Sequence, residues 1–138
     1  MKKLFLIPIL FFLLSCEEEG KFTKDGSFTN TISETATIKY SGNFVPTSGI
    51  SVTGGVKIYL ENNQHKLKLD NFSISSGPDL KVYLSKSNTP SDFVNLGNLT
   101  SETVYAIPQQ VNLSEYKYAL IHCQQYNHLF AVAELIQN

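Results

Sequence analysis

Val56-Lys57-Ile58-Tyr59-Leu60-Glu61-Asn62-Asn63-Gln64-His65-Lys66-Leu67-Lys68-Leu69-Asp70 is the stretch that decides the fold. Val56, Ile58 and Leu60 alternate with Lys57, Tyr59 and Glu61. After a polar break Leu67 and Leu69 alternate with Lys66, Lys68 and Asp70, and Phe72 continues the apolar set less regularly. Period two is the repeat of a pleated strand with one buried face. Asn62 and Asn63 tolerate the positive φ that a tight turn demands, so the segment predicts an antiparallel hairpin. One face should pack on a core while the lysines meet water. His65 falls beside the turn and is expected to be exposed.

The same pattern recurs downstream. Leu80, Val82 and Leu84 alternate with Lys81, Tyr83 and Ser85 after a Gly77-Pro78 turn signal, and Pro90 marks a loop. Further short strands are predicted over residues 93–96, 103–107, 118–123 and 129–136. Asn112-Leu113-Ser114-Glu115-Tyr116 reads as a single capped helical turn. No longer helical repeat of apolar residues is present. The fold class that follows is all-β, an antiparallel β-sandwich or flattened barrel of about eight to ten short strands.

The chain begins differently. Lys2-Lys3 precede an apolar run over residues 4–14, and Leu13-Leu14-Ser15-Cys16 closes it. A basic start, a short apolar stretch and a small residue before a cysteine form a bacterial secretory signal of the lipoprotein kind. The run is too short for a transmembrane helix, which needs about 20 apolar residues, and Pro8 interrupts it. The expectation is that residues 1–15 are a signal peptide and that Cys16 is lipidated. Residues 16–31, opening Cys16-Glu17-Glu18-Glu19-Gly20, would then be a polar tether, and residues 32–138 the folded domain. Such a protein sits in the bacterial cell envelope, held on a membrane by its acyl chains and facing periplasm or cell surface.

Composition narrows the partners. The chain is near neutral, with a formal net charge of -1, and it contains no arginine. Nucleic-acid recognition, which rests on basic patches and arginine forks, is not expected. Nine phenylalanines and seven tyrosines without tryptophan suit pleated surfaces. With Cys16 lipidated, Cys123 is the only remaining thiol, so no internal disulfide can form. In an oxidising compartment such a thiol is buried as a small hydrophobe, partnered, or used.

The stretch Asn71-Phe72-Ser73-Ile74-Ser75-Ser76-Gly77-Pro78-Asp79-Leu80-Lys81-Val82-Tyr83-Leu84-Ser85 resembles the DM-thirteen domain family, described as electron-transfer modules. Leu96-Gly97-Asn98-Leu99, Tyr105-Ala106-Ile107-Pro108, Leu113-Ser114-Glu115-Tyr116, and Cys123 with Phe130-Ala131-Val132-Ala133 are similar to that family's later landmarks, in order. The resemblance spans residues 41–135. It implies a compact β-sandwich and a redox role centred on a cysteine, which maps onto Cys123. Two positions depart from the family. His122 replaces a typically aromatic residue before the cysteine, and His128 stands where a small or apolar residue is usual, so histidine chemistry here would not be the family's common chemistry.

In a strand over residues 119–123, Cys123 and His122 point to opposite faces. A four-residue connection, Gln124-Gln125-Tyr126-Asn127, would set His128 opposite Cys123, where an imidazolium would make the thiol more acidic; a bulge would undo that register. Three fates stay open for Cys123: an inert buried thiol, a redox or mixed-disulfide thiol, or a metal or haem ligand. No motif supports a particular cofactor. The Cys-x-x-Cys-His of covalent haem attachment is absent, a blue-copper set lacks its methionine, and zinc would need about four ligands from His65, His122, His128 and Cys123. Asp79 matches a family landmark, yet a carboxylate after Gly-Pro commonly fixes a turn by accepting backbone hydrogen bonds. Tyr116 is expected to pin a loop through its hydroxyl, as in the tyrosine corner of β-sandwiches.

No phosphate loop, nucleophile elbow or His-Glu-x-x-His pair occurs, so a conventional enzyme is not indicated. The functional expectation is a lipid-anchored redox or electron-transfer domain acting through Cys123 with an unidentified cofactor, haem or metal, or with a partner protein of the envelope. The alternative is a non-catalytic envelope or surface module that binds protein or glycan and keeps Cys123 inert.

Overall fold

The computed structural model describes residues 31–138. The expected signal peptide, Cys16 and nearly all of the expected tether lie outside the described residues. The described chain is all-β, with strands β1 (Thr37–Pro46), β2 (Val52–Glu61), β3 (Gln64–Ile74), β4 (Leu80–Ser85), β5 (Phe93–Asn98), β6 (Val104–Ala106), β7 (Tyr118–Cys123), β8 (His128–Glu134) and β9 (Ile136–Gln137). They run in the order β5-β4-β7-β8-β1-β2-β3-β6, with β9 added beside β1. All the pairings are antiparallel.

The two ends of this order nearly meet, which makes the sheet a flattened barrel. Tyr105, in β6, closes the gap by donating its hydroxyl to the carbonyl of Asn98, in β5, at 3.0 Å, and to that of Glu102 at 3.1 Å. This is the pinning role expected of Tyr116. Tyr116 instead packs partly buried against the core, and the Lys86 ammonium lies over its ring, 5.4 Å from the centroid.

The β2–β3 hairpin forms as its sequence predicts. Glu61 pairs with Gln64, and Asn62 and Asn63 take φ of 49° and 60°, the doubly positive pair of a type I′ turn. Val56, Ile58, Leu67 and Leu69 are buried on one face. Lys66 departs from the pattern, since it is buried rather than solvated. Its ammonium meets Glu61 Oε2 at 3.1 Å and the Thr31 carbonyl at 3.2 Å, so the incoming chain covers it.

β1 was not legible as a strand because it serves two partners with different faces. Thr37 to Asn43 pair with β2, and Phe44 to Pro46 pair with β8. β1 thereby turns a corner and joins the two halves of the barrel. The core between the halves is filled by Phe44, Val56, Ile58, Leu67, Val82, Leu84, Ile121 and their neighbours. The turn at Asn112 is a single one, held by Glu115 N donating to Asn112 O at 3.0 Å and Ser114 N to Asn112 Oδ1 at 3.0 Å.

Candidate functional site

Alternation along β7 fixes where its last two side chains go. Ala119, Ile121 and Cys123 join the core, where Cys123 is 1% exposed. Leu120 and His122 lie on the opposite face and are buried there, outside that core. Cys123 ends the strand, so only the turn of residues 124–127 separates its backbone from the barrel mouth.

The register sets Cys123 opposite Leu80 on one side and opposite His128 on the other. A bulge is present in β8, between the pairs Ile121↔Ala131 and His122↔Leu129. It lies above the Cys123–His128 pair and leaves it intact. The extra residue is Phe130, and its insertion lets both Phe130 and Ala131 enter the core. His128 is exposed, and its ring meets the Phe130 ring edge-on at 4.9 Å. Among the described residues no hydrogen bond joins Cys123 to His128. The thiol is therefore packed in apolar side chains, with an imidazole at the neighbouring strand position.

The loop before β4 covers this end of the barrel. Gly77 lies against Leu80, the cross-strand partner of Cys123, and Phe130, which shares its core, since a Cβ there would stand 2.9 Å from Leu80 Cδ2 and 3.0 Å from Phe130 Cζ. The Asp79 carbonyl accepts from Gln124 N at 3.0 Å, which ties the loop to the residue after Cys123. Among the described residues the Asp79 carboxylate accepts no backbone hydrogen bond, in contrast to what its sequence context suggested. It pairs with Lys81 Nζ at 3.0 Å, and Lys81 also donates to Asn98 Oδ1. A hollow of about 420 Å³ lies alongside, bounded by the Gly77-Pro78-Asp79 loop and residues 98–100.

His122 occupies the other face. It is 4% exposed, its Nε2 lies 3.1 Å from Asn127 Oδ1, and its Nδ1 is buried without a partner among the described residues. With the amide oxygen as acceptor, this contact suits the tautomer protonated at Nε2. Burial pushes the imidazole below its ordinary value of 6.5, the Asn127 contact opposes that, and the nearby His128 charge adds to it. The ring lies 5.4 Å from that of Tyr83, and Tyr83 stacks on Phe93 at 4.2 Å and 16°. Burial also pushes the Tyr83 hydroxyl up, the Lys81 charge opposes this, and the Asp79 charge adds to it. This aromatic layer was missed in the sequence, because Leu80 to Ser85 read as a strand with one wet face.

His65 is remote from these groups. It pairs with Leu60 in the β2–β3 hairpin and is half-buried rather than exposed. Among the described residues no group of three or more His, Cys, Asp or Glu side chains converges as metal ligands.

The family profile described as "Electron transfer DM13" matches residues 43–135. No curated protein and no solved structure matches the chain.

Proposed function

The chain belongs to the DM13 electron-transfer family, and on that premise we propose that it is a lipid-anchored redox protein of the bacterial cell envelope, reacting through Cys123. The lipobox supports Cys16 as the anchor, with residues 16–31 as tether and 32–138 as the redox domain. More than one acyl chain on Cys16 would hold the domain stably on the membrane.

The observation that carries the redox reading is the pairing of Cys123 with His128 at the end of the β7–β8 hairpin. A thiol becomes a nucleophile by losing its proton, and His128 is the base at the adjoining position. One thiol cannot run a dithiol cycle alone, so the co-reactant is a disulfide of a partner protein. Cys123 Sγ forms a bond to one partner sulfur, the partner S–S bond breaks, and the Cys123 proton passes through His128 to the leaving sulfur. The second partner thiol can then resolve the mixed disulfide. Because Cys123 is 1% exposed, this exchange requires the mouth of the barrel to open.

That burial also supports the second reading, a binding module in which Cys123 is an inert part of the core. Full chain purified from membranes separates the two. The redox reading expects native Cys123 to form a mixed disulfide with a small aromatic disulfide probe, and His128→Ala to slow it while the fold persists. A thiol that reacts only at the rate of global unfolding supports the inert reading, as does a folded Cys123→Ala protein that keeps its cellular role. Absorbance and metal content of the same sample test for a bound chromophore or ion. For the anchor, Cys16→Ala is expected to move the protein from the membrane to the soluble fraction.

A further inference from the structure

A cleft of about 660 Å³ opens where β1 changes partners, far along the β2–β3 ladder from the Glu61–Gln64 turn. It involves neither Cys123 nor His128. Its volume falls within the roughly 300–1,000 Å³ of ordinary ligand sites.

The sequence builds the cleft from a break in the β2–β3 ladder. Register shifts between Thr53 and Gly55, where Gly54 takes φ 89° and Asn71 takes φ 47°. Such bulges bend a strand and re-aim its side chains. Next along, Asn43, Gly55 and Asp70 form one cross-strand row. Its middle member has no side chain because the Gly42 carbonyl oxygen occupies the place a Cβ would take, with Asn43 Oδ1 3.1 Å from that point; glycine here lets β1 approach β2 closely at the floor of the cleft.

The polar groups lining the cleft are of both kinds. Lys57 and Asp70 form an ion pair at 3.1 Å in which each side chain keeps over a third of its surface exposed, 37% and 35%. The Asp70 hydrogen bond and charge hold the Lys57 ammonium above its ordinary range, so a firm donor and a firm acceptor stand side by side. The side-chain amides of Asn43 and Asn71 and the Glu134 carboxylate have no protein hydrogen bond among the described residues, and all three line the cleft. At its rim are two aliphatic side chains in water, Val45 at 64% exposure and Ile136 at 58%.

We infer that this cleft binds a neutral mono- or disaccharide. Paired donors and acceptors match vicinal hydroxyls, which both give and accept hydrogen bonds. The aliphatic rim suits the C–H face of a sugar ring. Anions are disfavoured, because two carboxylates face one ammonium. The site is separate from the redox reading and stands or falls without it.

Amide chemical-shift titration of the full chain, held in a phosphocholine detergent so that no sugar headgroup competes, tests the assignment. The probes are chitobiose, maltose and cellobiose. At least one is expected to give saturable shifts centred on Asn43, Lys57 and Asp70, and Asp70→Asn and Asn43→Ala, both solvent-facing changes, to weaken it at least about tenfold, or about 1.4 kcal/mol. The assignment is overturned by any of three results: no saturable shift with any probe at about 10 mM, tenfold above a Kd of about 1 mM; shifts confined to another region; or affinity unchanged in both variants. Saturation of the same amides by ethanolammonium and by none of the sugars also overturns it. Unchanged amide dispersion in the two variants shows that each remains folded.

Discussion

Cys123 and His128 are cross-strand partners, a core thiol 1% exposed set against an imidazole at the barrel mouth. The pair joins an apolar interior to solvent within one hairpin rung. Its consequences can be measured at the thiol, at the loop that covers it, and at the neighbouring His122.

Cys123 contributes to the core as a small hydrophobe. Cys123→Ser buries a hydroxyl among apolar neighbours, which costs about 1–3 kcal/mol when the group is left unsatisfied. Cys123→Ala removes only the sulfur and is expected to cost less. Urea unfolding of both variants should rank wild type above Ala above Ser. A Ser variant as stable as wild type would mean that the position is not as dry as its packing indicates.

The Gly77 loop lies against Leu80 and Phe130, which share the core with Cys123. A Cβ at Gly77 would stand 2.9 Å from Leu80, closer than real Cβ atoms approach. Gly77→Ala should therefore displace the Leu80 methyl and the Phe130 ring edge, loosening the packing at this end of the barrel and raising the rate of Cys123 alkylation under native conditions. An unchanged rate would show that the thiol is reached by another route.

His122 is held neutral by burial, with its folded pKa below the ordinary 6.5. The unfolded chain therefore binds a proton at a pH where the folded chain does not. Stability from this residue is fully present above 6.5 and is lost as pH falls below it, until the folded imidazole itself protonates. His65 is shifted the same way, by burial and by the Lys39 charge. The urea midpoint should thus fall between about pH 8 and pH 5, the range in which histidine titrates. His122→Phe should remove part of that slope and leave the His65 share. An identical slope in the variant would place the pH response elsewhere.

The Tyr105 hydroxyl proton is shared between the Asn98 and Glu102 carbonyls at the closure of the barrel. Tyr105→Phe keeps the buried ring and loses this shared hydrogen bond, with an expected cost of about 1 kcal/mol. The urea midpoint should drop without a change in slope, the mark of lost stability with an unchanged native surface. The matching change Tyr116→Phe should be near neutral, because that hydroxyl has no protein partner among the described residues.

Local sequence determined what local physics controls. The alternation over Val56 to Leu69 fixed a half-buried hairpin, and Asn62-Asn63 fixed its turn. The four-residue spacing from Cys123 to His128 fixed their pairing, because strand register follows from turn length when no bulge intervenes between turn and pair. Asn112 was legible as the start of a single turn because its side chain caps two residues ahead.

Only the tertiary structure decided the rest. Lys66 looked solvated, yet an oppositely charged neighbour and the incoming chain bury it. Tyr83 sits on a strand face that the alternation assigned to water, and His122 lies beside it on the next strand; both are covered by other aromatic and polar groups from β5 and the β7–β8 turn. The cleft draws on β1, β2, β3 and the end of β8, and β1 carries no clean period because it packs on two different partners in turn. Periodicity records one neighbouring surface at a time. Where a strand serves two, or a second layer of side chains closes over a face, burial is set by residues distant in sequence, and only the assembled barrel brings them together.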